Sequence, residues 1–76
     1  RLYGILDLGY VARDGLVAMA RAMIAGGVAL IQLRAKGHPP DAVEAMGREI
    51  LPVTRDAGVP FIINDWPQVA AAIGAM

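Results

Sequence analysis

The sequence predicts an α/β chain built on a parallel sheet. Three observations carry this: three short apolar runs, a segment of helical period after each, and polar residues gathered where each run stops. Strand, helix, strand, helix, strand, helix at this spacing is the βαβ pattern, whose crossovers are right-handed in nearly all cases. A parallel sheet is normally covered on both faces, so its strands read as continuous apolar runs rather than strict alternation.

The first run, Leu2 to Leu8, is bounded by Gly9 and is too short for a helix. From Gly15 to Ala25 the residues Leu16, Ala20, Met23 and Ile24 fall at helical spacing, with Asp14 placed to cap the start and Gly26-Gly27 to stop the helix. Val28 to Leu33 reads as the second strand and runs out into Arg34, Lys36, Gly37 and His38. A second helix follows Pro39-Pro40, with Asp41 near its start and Val43, Met46 and Ile50 in period, and Gly58 marks its end. Pro52 falls inside it, where the missing N–H deletes the bond to the Arg48 carbonyl, so a bend or break is expected. Val59 to Ile63 reads as the third strand, with Pro60 tolerable only at its beginning, and Asn64-Asp65 follow directly. The last helix opens at Pro67 and runs through Val69 and Ile73 to Gly74.

The bulk composition narrows the classes of function. Seven basic and seven acidic side chains cancel, and no basic stripe or cationic helix face appears. That pattern argues against a nucleic-acid binder and against a membrane-surface helix. There are no cysteines, which excludes a disulfide framework and a thiolate metal site. No apolar run approaches the roughly 18 residues of a spanning helix, and no basic-then-apolar leader opens the chain, so the expected setting is soluble and cytoplasmic. At 76 residues, 57% of them hydrophobic, the chain is marginal for an isolated domain.

In parallel α/β sheets ligands gather beyond the carboxyl ends of the strands, where loops are free and helix amino termini offer donors. Asp7 ends the first strand, Gln32, Arg34 and Lys36 the second, and Asn64 with Asp65 the third. Arg34 offers a planar fork to phosphate oxygens, Lys36 a compact charge and Gln32 a neutral amide donor. Alternation along an extended segment puts 32, 34 and 36 on one side and turns Leu33 and Ala35 toward the helices. Spacing alone equally allows Arg34 and Lys36 to be solvated charges and Gln32 an interior polar residue bonded to a neighbour.

Asp65 suits a hard cation such as Mg²⁺, which is held by one or two carboxylates plus phosphate oxygens. On spacing, the plainer reading makes it a helix-start residue complementing the dipole before Pro67, with Asn64 a turn former. Asp7 is given no chemical role beyond steadying its turn. His38 has no second histidine or cysteine at ligand spacing and reads as an exposed loop residue. Trp66 reads as packing rather than a stacking platform, since no second aromatic is placed to form a sandwich.

Taken in order, Leu2-Tyr3 leading to Asp7, Gly26-Gly27-Val28, Gln32-Leu33-Arg34-Ala35-Lys36 and Gly58 through Asp65 resemble the thiamine-phosphate synthase and thiazole tautomerase superfamily, the synthase branch above all. The resemblance covers essentially the whole chain. It implies a (β/α)8 TIM barrel, of which residues 1–76 would be the N-terminal portion of a single domain, about the first three of its eight βα units. It implies that Gln32, Arg34 and Lys36 bind the pyrophosphate of hydroxymethylpyrimidine pyrophosphate, that Asn64 contacts substrate and that Asp65 ligates Mg²⁺. The implied reaction joins that substrate to thiazole phosphate with loss of pyrophosphate; no catalytic acid or base is assigned.

Two features depart from the family pattern. Trp66 stands where the family usually has arginine, and the chain stops at Met76 before the fourth strand, which would carry a second acidic metal ligand. The rival readings are a thiazole tautomerase-like protein and a non-catalytic βα fragment, with self-association left open for either.

Overall fold

The computed structural model describes residues 2–75. Three strands, β1 (Tyr3–Asp7), β2 (Leu30–Arg34) and β3 (Phe61–Ile63), alternate with three helices, α1 (Leu16–Ala25), α2 (Pro40–Asp56) and α3 (Pro67–Ile73). The sheet is parallel throughout in the order β1-β2-β3, so each helix follows its strand as the sequence predicts.

Strand alternation sorts the side chains onto two unlike faces. Leu6, Ile31, Leu33, Phe61 and Ile63 point to one face and are buried against Leu16 and Ala20 of α1, Val43, Met46 and Ile50 of α2, and Val69, Ala70 and Ile73 of α3. The opposite face carries Tyr3 and Ile5, 66% and 51% exposed, beside half-buried Gln32 and Ile62. Helices thus cover one side of the sheet only, and Gln32 and Arg34 fall on the other.

The helix ends follow from short sequence signals. α1 closes with Gly27 at φ +90°, its N–H donating to the Ile24 carbonyl (3.0 Å) while Val28 N–H donates to Met23 (3.2 Å), a Schellman motif. The same pair of bonds ends α2 through Gly58 and Val59. α2 and α3 both open on proline, where the missing N–H would have had no helical partner.

Three expectations are corrected. Asp14 does not cap α1: it lies inside a single 3-10 turn, Arg13–Gly15, and Gly15 takes the cap position without a side-chain bond. The strands begin two residues later than expected at Leu30 and Phe61, because the amides of Val28 and Val59 are committed to the helix ends. Pro60 precedes β3 and serves the ladder only as an acceptor, taking the Ile31 N–H at 3.0 Å. Of the bend or break expected at Pro52, the break is absent: α2 is continuous from Pro40 to Asp56, with Pro52 and Arg48 both exposed.

Candidate active site

β2 is the middle strand and brings the candidate residues into rows. Ile5, Gln32 and Ile62 are in register across the sheet, so the Gln32 amide lies half-buried between two aliphatic neighbours on the helix-free face. One row nearer the carboxyl edge, Asp7 pairs with Arg34. The Asn64 N–H donates to the Leu33 carbonyl at 3.0 Å, which continues the β2–β3 register one step and sets Asn64 beside Arg34. Three strand ends therefore present Asp7, Arg34 and Asn64 side by side.

Electrostatics connect two of them. Arg34 Nε is 4.0 Å from Asp7 Oδ2, with the side chains 48% and 27% exposed. The other carboxylate oxygen, Asp7 Oδ1, accepts the Gly9 N–H at 2.8 Å, which anchors the carboxylate in the turn after β1. Sequence reasoning missed this pairing. The signal was a charge at the last position of two adjacent parallel strands, and it becomes visible only once the register is known.

Lys36 reaches the same edge by a different route. β2 ends at Arg34, so strand alternation holds for Gln32 and Arg34, while Lys36 sits in a turn closed by His38 N–H donating to the Ala35 carbonyl at 3.1 Å. With Gly37 at φ +84° and Lys36 in the ordinary negative-φ region, this is a type II turn carrying Lys36 exposed at its second position. His38 is not the exposed residue expected: it is half-buried, and its Nδ1 is sealed from solvent without a hydrogen-bond partner.

Asp65 is the single non-glycine residue at positive φ (+72°) among the described residues. It directly precedes the cap position of α3 and makes no capping bond to it. Trp66 occupies the cap position of α3, no side chain caps it, and no acidic residue stands in its first turn. Among the described residues no side-chain hydrogen bond or ion pair engages the Asp65 carboxylate, which is exposed at the sheet's carboxyl edge. An open cavity of about 590 Å³ lies beside it, lined by Ile62, Asn64, Asp65, Pro67 and Ala71 among others. Trp66 packs against the core, as its sequence reading expected.

With this geometry in place, the sequence pattern of the thiamine monophosphate synthase family matches residues 2–76. The chain belongs to that family. Among the family's curated members, thiamine-phosphate synthase of Herpetosiphon aurantiacus is 40% identical over 75 residues, covering 99% of this chain and 36% of its own. The Methanoregula boonei thiamine-phosphate synthase is 48% identical over 77 residues, covering 92% of this chain and 35% of its own. A solved thiamine phosphate pyrophosphorylase from Pyrococcus furiosus superposes with a TM-score of 0.82 at 28% identity, over 99% of this chain and 36% of that one.

The chain therefore spans about a third of the length of the thiamine monophosphate synthase relatives it matches. The superposition and the parallel sheet bear out the predicted fold class, with the chain supplying three βα units of the family's (β/α) barrel. No helix among the described residues is long and apolar enough to cross a membrane.

Proposed function

We propose that the protein containing this chain is a thiamine-phosphate synthase, a transferase of thiamine biosynthesis acting in the cytoplasm. It joins hydroxymethylpyrimidine pyrophosphate to thiazole phosphate and releases pyrophosphate, and this chain supplies part of the pyrophosphate grip. One observation carries the reading: Gln32 and Arg34 stand on the helix-free face of the middle strand, at the carboxyl edge of a parallel sheet, in a member of this family. The relatives at 40% and 48% identity bear the synthase name, which favours this branch over a tautomerase.

The residues divide the work by their chemistry. Arg34 presents parallel N–H donors to two phosphate oxygens, Lys36 adds a mobile charge from its turn, and the Gln32 amide donates a neutral hydrogen bond. Asn64, beside Arg34, contributes a side-chain amide to the same substrate. In the reaction the bond between the pyrimidine methylene carbon and the pyrophosphate oxygen breaks, with its electron pair leaving on pyrophosphate. The ring nitrogen of thiazole phosphate then donates its lone pair to the pyrimidine-methyl cation. Negative charge grows on the departing group, where Arg34 and Lys36 stabilise it more strongly than in the ground state.

Asp65 would supply one carboxylate to Mg²⁺. Among the described residues no group of three acidic, histidine or cysteine side chains could enclose an ion, so substrate oxygens, water and the second acidic ligand that the resemblance implies beyond this chain would complete its shell. When bound, such an ion neutralises pyrophosphate charge as a Lewis acid. The test is an initial-rate assay for thiamine phosphate from both substrates with magnesium, using the protein at the full length its gene encodes. Product formation that disappears when either substrate is withheld is the expected result; no product under any magnesium concentration would refute the reading.

A further inference from the structure

We infer that Asp7 is a positioning residue for Arg34, holding the guanidinium by its Nε edge so that its two terminal nitrogens face the anion. This rests on the proposed pyrophosphate grip and deepens it.

Asp7 and Arg34 are paired at the last positions of adjacent parallel strands, so their Cα atoms are fixed by the sheet and not by a flexible loop. The turn after β1 holds the Asp7 carboxylate. Its Oδ1 accepts the Gly9 N–H at 2.8 Å, and that leaves Oδ2 toward Arg34 Nε at 4.0 Å. A guanidinium has two usable forks, one made by Nε with a terminal nitrogen and one made by both terminal nitrogens. A carboxylate on the Nε side, at ion-pair distance, leaves the second for phosphate oxygens.

A carboxylate beside a pyrophosphate site repels the substrate, so its presence there calls for a compensating gain. Arg34 is half exposed on the helix-free face, and among the described residues Asp7 is its one ion-pair partner. Without Asp7 its long side chain would have to be ordered entirely by the substrate, at the expense of side-chain entropy. Fixing it beforehand is preorganisation, and the family resemblance assigned Asp7 no such part.

The charge and the turn can be separated by substitution. Asp7→Asn keeps an oxygen to accept the Gly9 N–H and removes only the charge, whereas Asp7→Glu keeps the charge. The experiment measures inorganic pyrophosphate binding by calorimetry and KM for each substrate, in the full-length protein, for these two variants, for Arg34→Ala and for Asp7→Asn with Arg34→Ala. Asp7→Asn is expected to weaken pyrophosphate binding about two- to fivefold, the size of a partly exposed ion pair. It should raise KM for the pyrophosphate-bearing substrate alone and leave the unfolding midpoint near the parent's. Asp7→Glu should stand closer to the parent than to Asp7→Asn, and Asp7→Asn should add nothing once Arg34 is alanine.

Undiminished or tighter binding in Asp7→Asn would overturn the inference while leaving the anion site intact, as would full additivity with Arg34→Ala. If Arg34→Ala itself bound pyrophosphate as well as the parent, the grip would be wrong and this inference would fall with it.

Discussion

Gly47 sits in the middle of the 17-residue helix α2, where glycine is less favourable than alanine by about 1 kcal/mol. The packing explains its presence. A Cβ at this position would lie 2.7 Å from Ile73 Cδ1 of α3 and 3.1 Å from Ile63 Cδ1 of β3, well inside the ordinary contact distance. Gly47→Ala therefore sets a helix-propensity gain of about 1 kcal/mol against an overpacking penalty of about 1–3 kcal/mol, for a net loss of about 1 kcal/mol. Both methyls are the far ends of flexible side chains, on residues 6% and 8% exposed, so rotation takes up part of the overlap and keeps the penalty below the top of that range. Ile73→Val removes the nearer methyl and by itself costs about 0.5–1.5 kcal/mol. Combined with Gly47→Ala it should relieve the clash, making the double variant at least about 1 kcal/mol more stable than the sum of the singles. The assay is urea unfolding of the full-length protein, reading midpoints at unchanged m-value. A raised midpoint in Gly47→Ala together with strict additivity in the double variant would refute the close approach of α2 to the sheet and α3.

Arg34→Ala should raise KM for the pyrophosphate-bearing substrate roughly 10- to 100-fold, with Arg34→Lys recovering only part because it keeps the charge and loses the fork; steady-state kinetics on both variants checks this. Asp65→Asn should raise the magnesium concentration that gives half-maximal rate, and because asparagine tolerates positive φ as well as aspartate does, thermal unfolding should stay unchanged. An unchanged magnesium titration would remove Asp65 from the metal. Glu49 accepts two hydrogen bonds from Arg13, at 2.5 and 3.1 Å, and the first effect of that pairing is to hold its carboxyl below the ordinary value of 4.5. A depressed carboxylate adds stability above its unfolded pKa and loses it as pH falls through the lowered value. Glu49→Gln should therefore lower the unfolding midpoint slightly at neutral pH, by little because the pair is exposed, and converge with the parent as pH falls below about 4.5; unfolding midpoints at pH 3 to 7 test it.

The order of elements was legible because helix stops and strand ends are written in single residues. Gly27 and Gly58 ended α1 and α2 where the sequence said they would. The same turns account for the misplaced strand starts. Val28 and Val59 are β-branched and look like strand residues, yet their amides close the preceding helices and their side chains pack against the core. Local propensity gave way to a cap that the glycine before each valine had already announced. The break allowed for at Pro52 does not occur for a related reason: what the lost bond costs depends on whether the orphaned carbonyl is buried, and exposure on a helix face is a tertiary property. His38 likewise looked exposed by its glycine and proline neighbours, and only the folded loop seals its Nδ1.

The candidate site was legible residue by residue but not as a set. Gln32 and Arg34 share a face by strand period alone, which any sequence reader can count. Lys36 joins them through a type II turn, and Asp7 and Asn64 through register, neither of which has a local sequence signature. Asp65 is the most telling of these positions. Its left-handed backbone would be relaxed by glycine, the residue that holds positive φ at Gly27, Gly37, Gly58 and Gly74. Aspartate is among the few residues that tolerate this backbone, and at this position it neither caps α3 nor enters an ion pair among the described residues, so its carboxylate stays open beside Asn64, where the proposed Mg²⁺ role would use it.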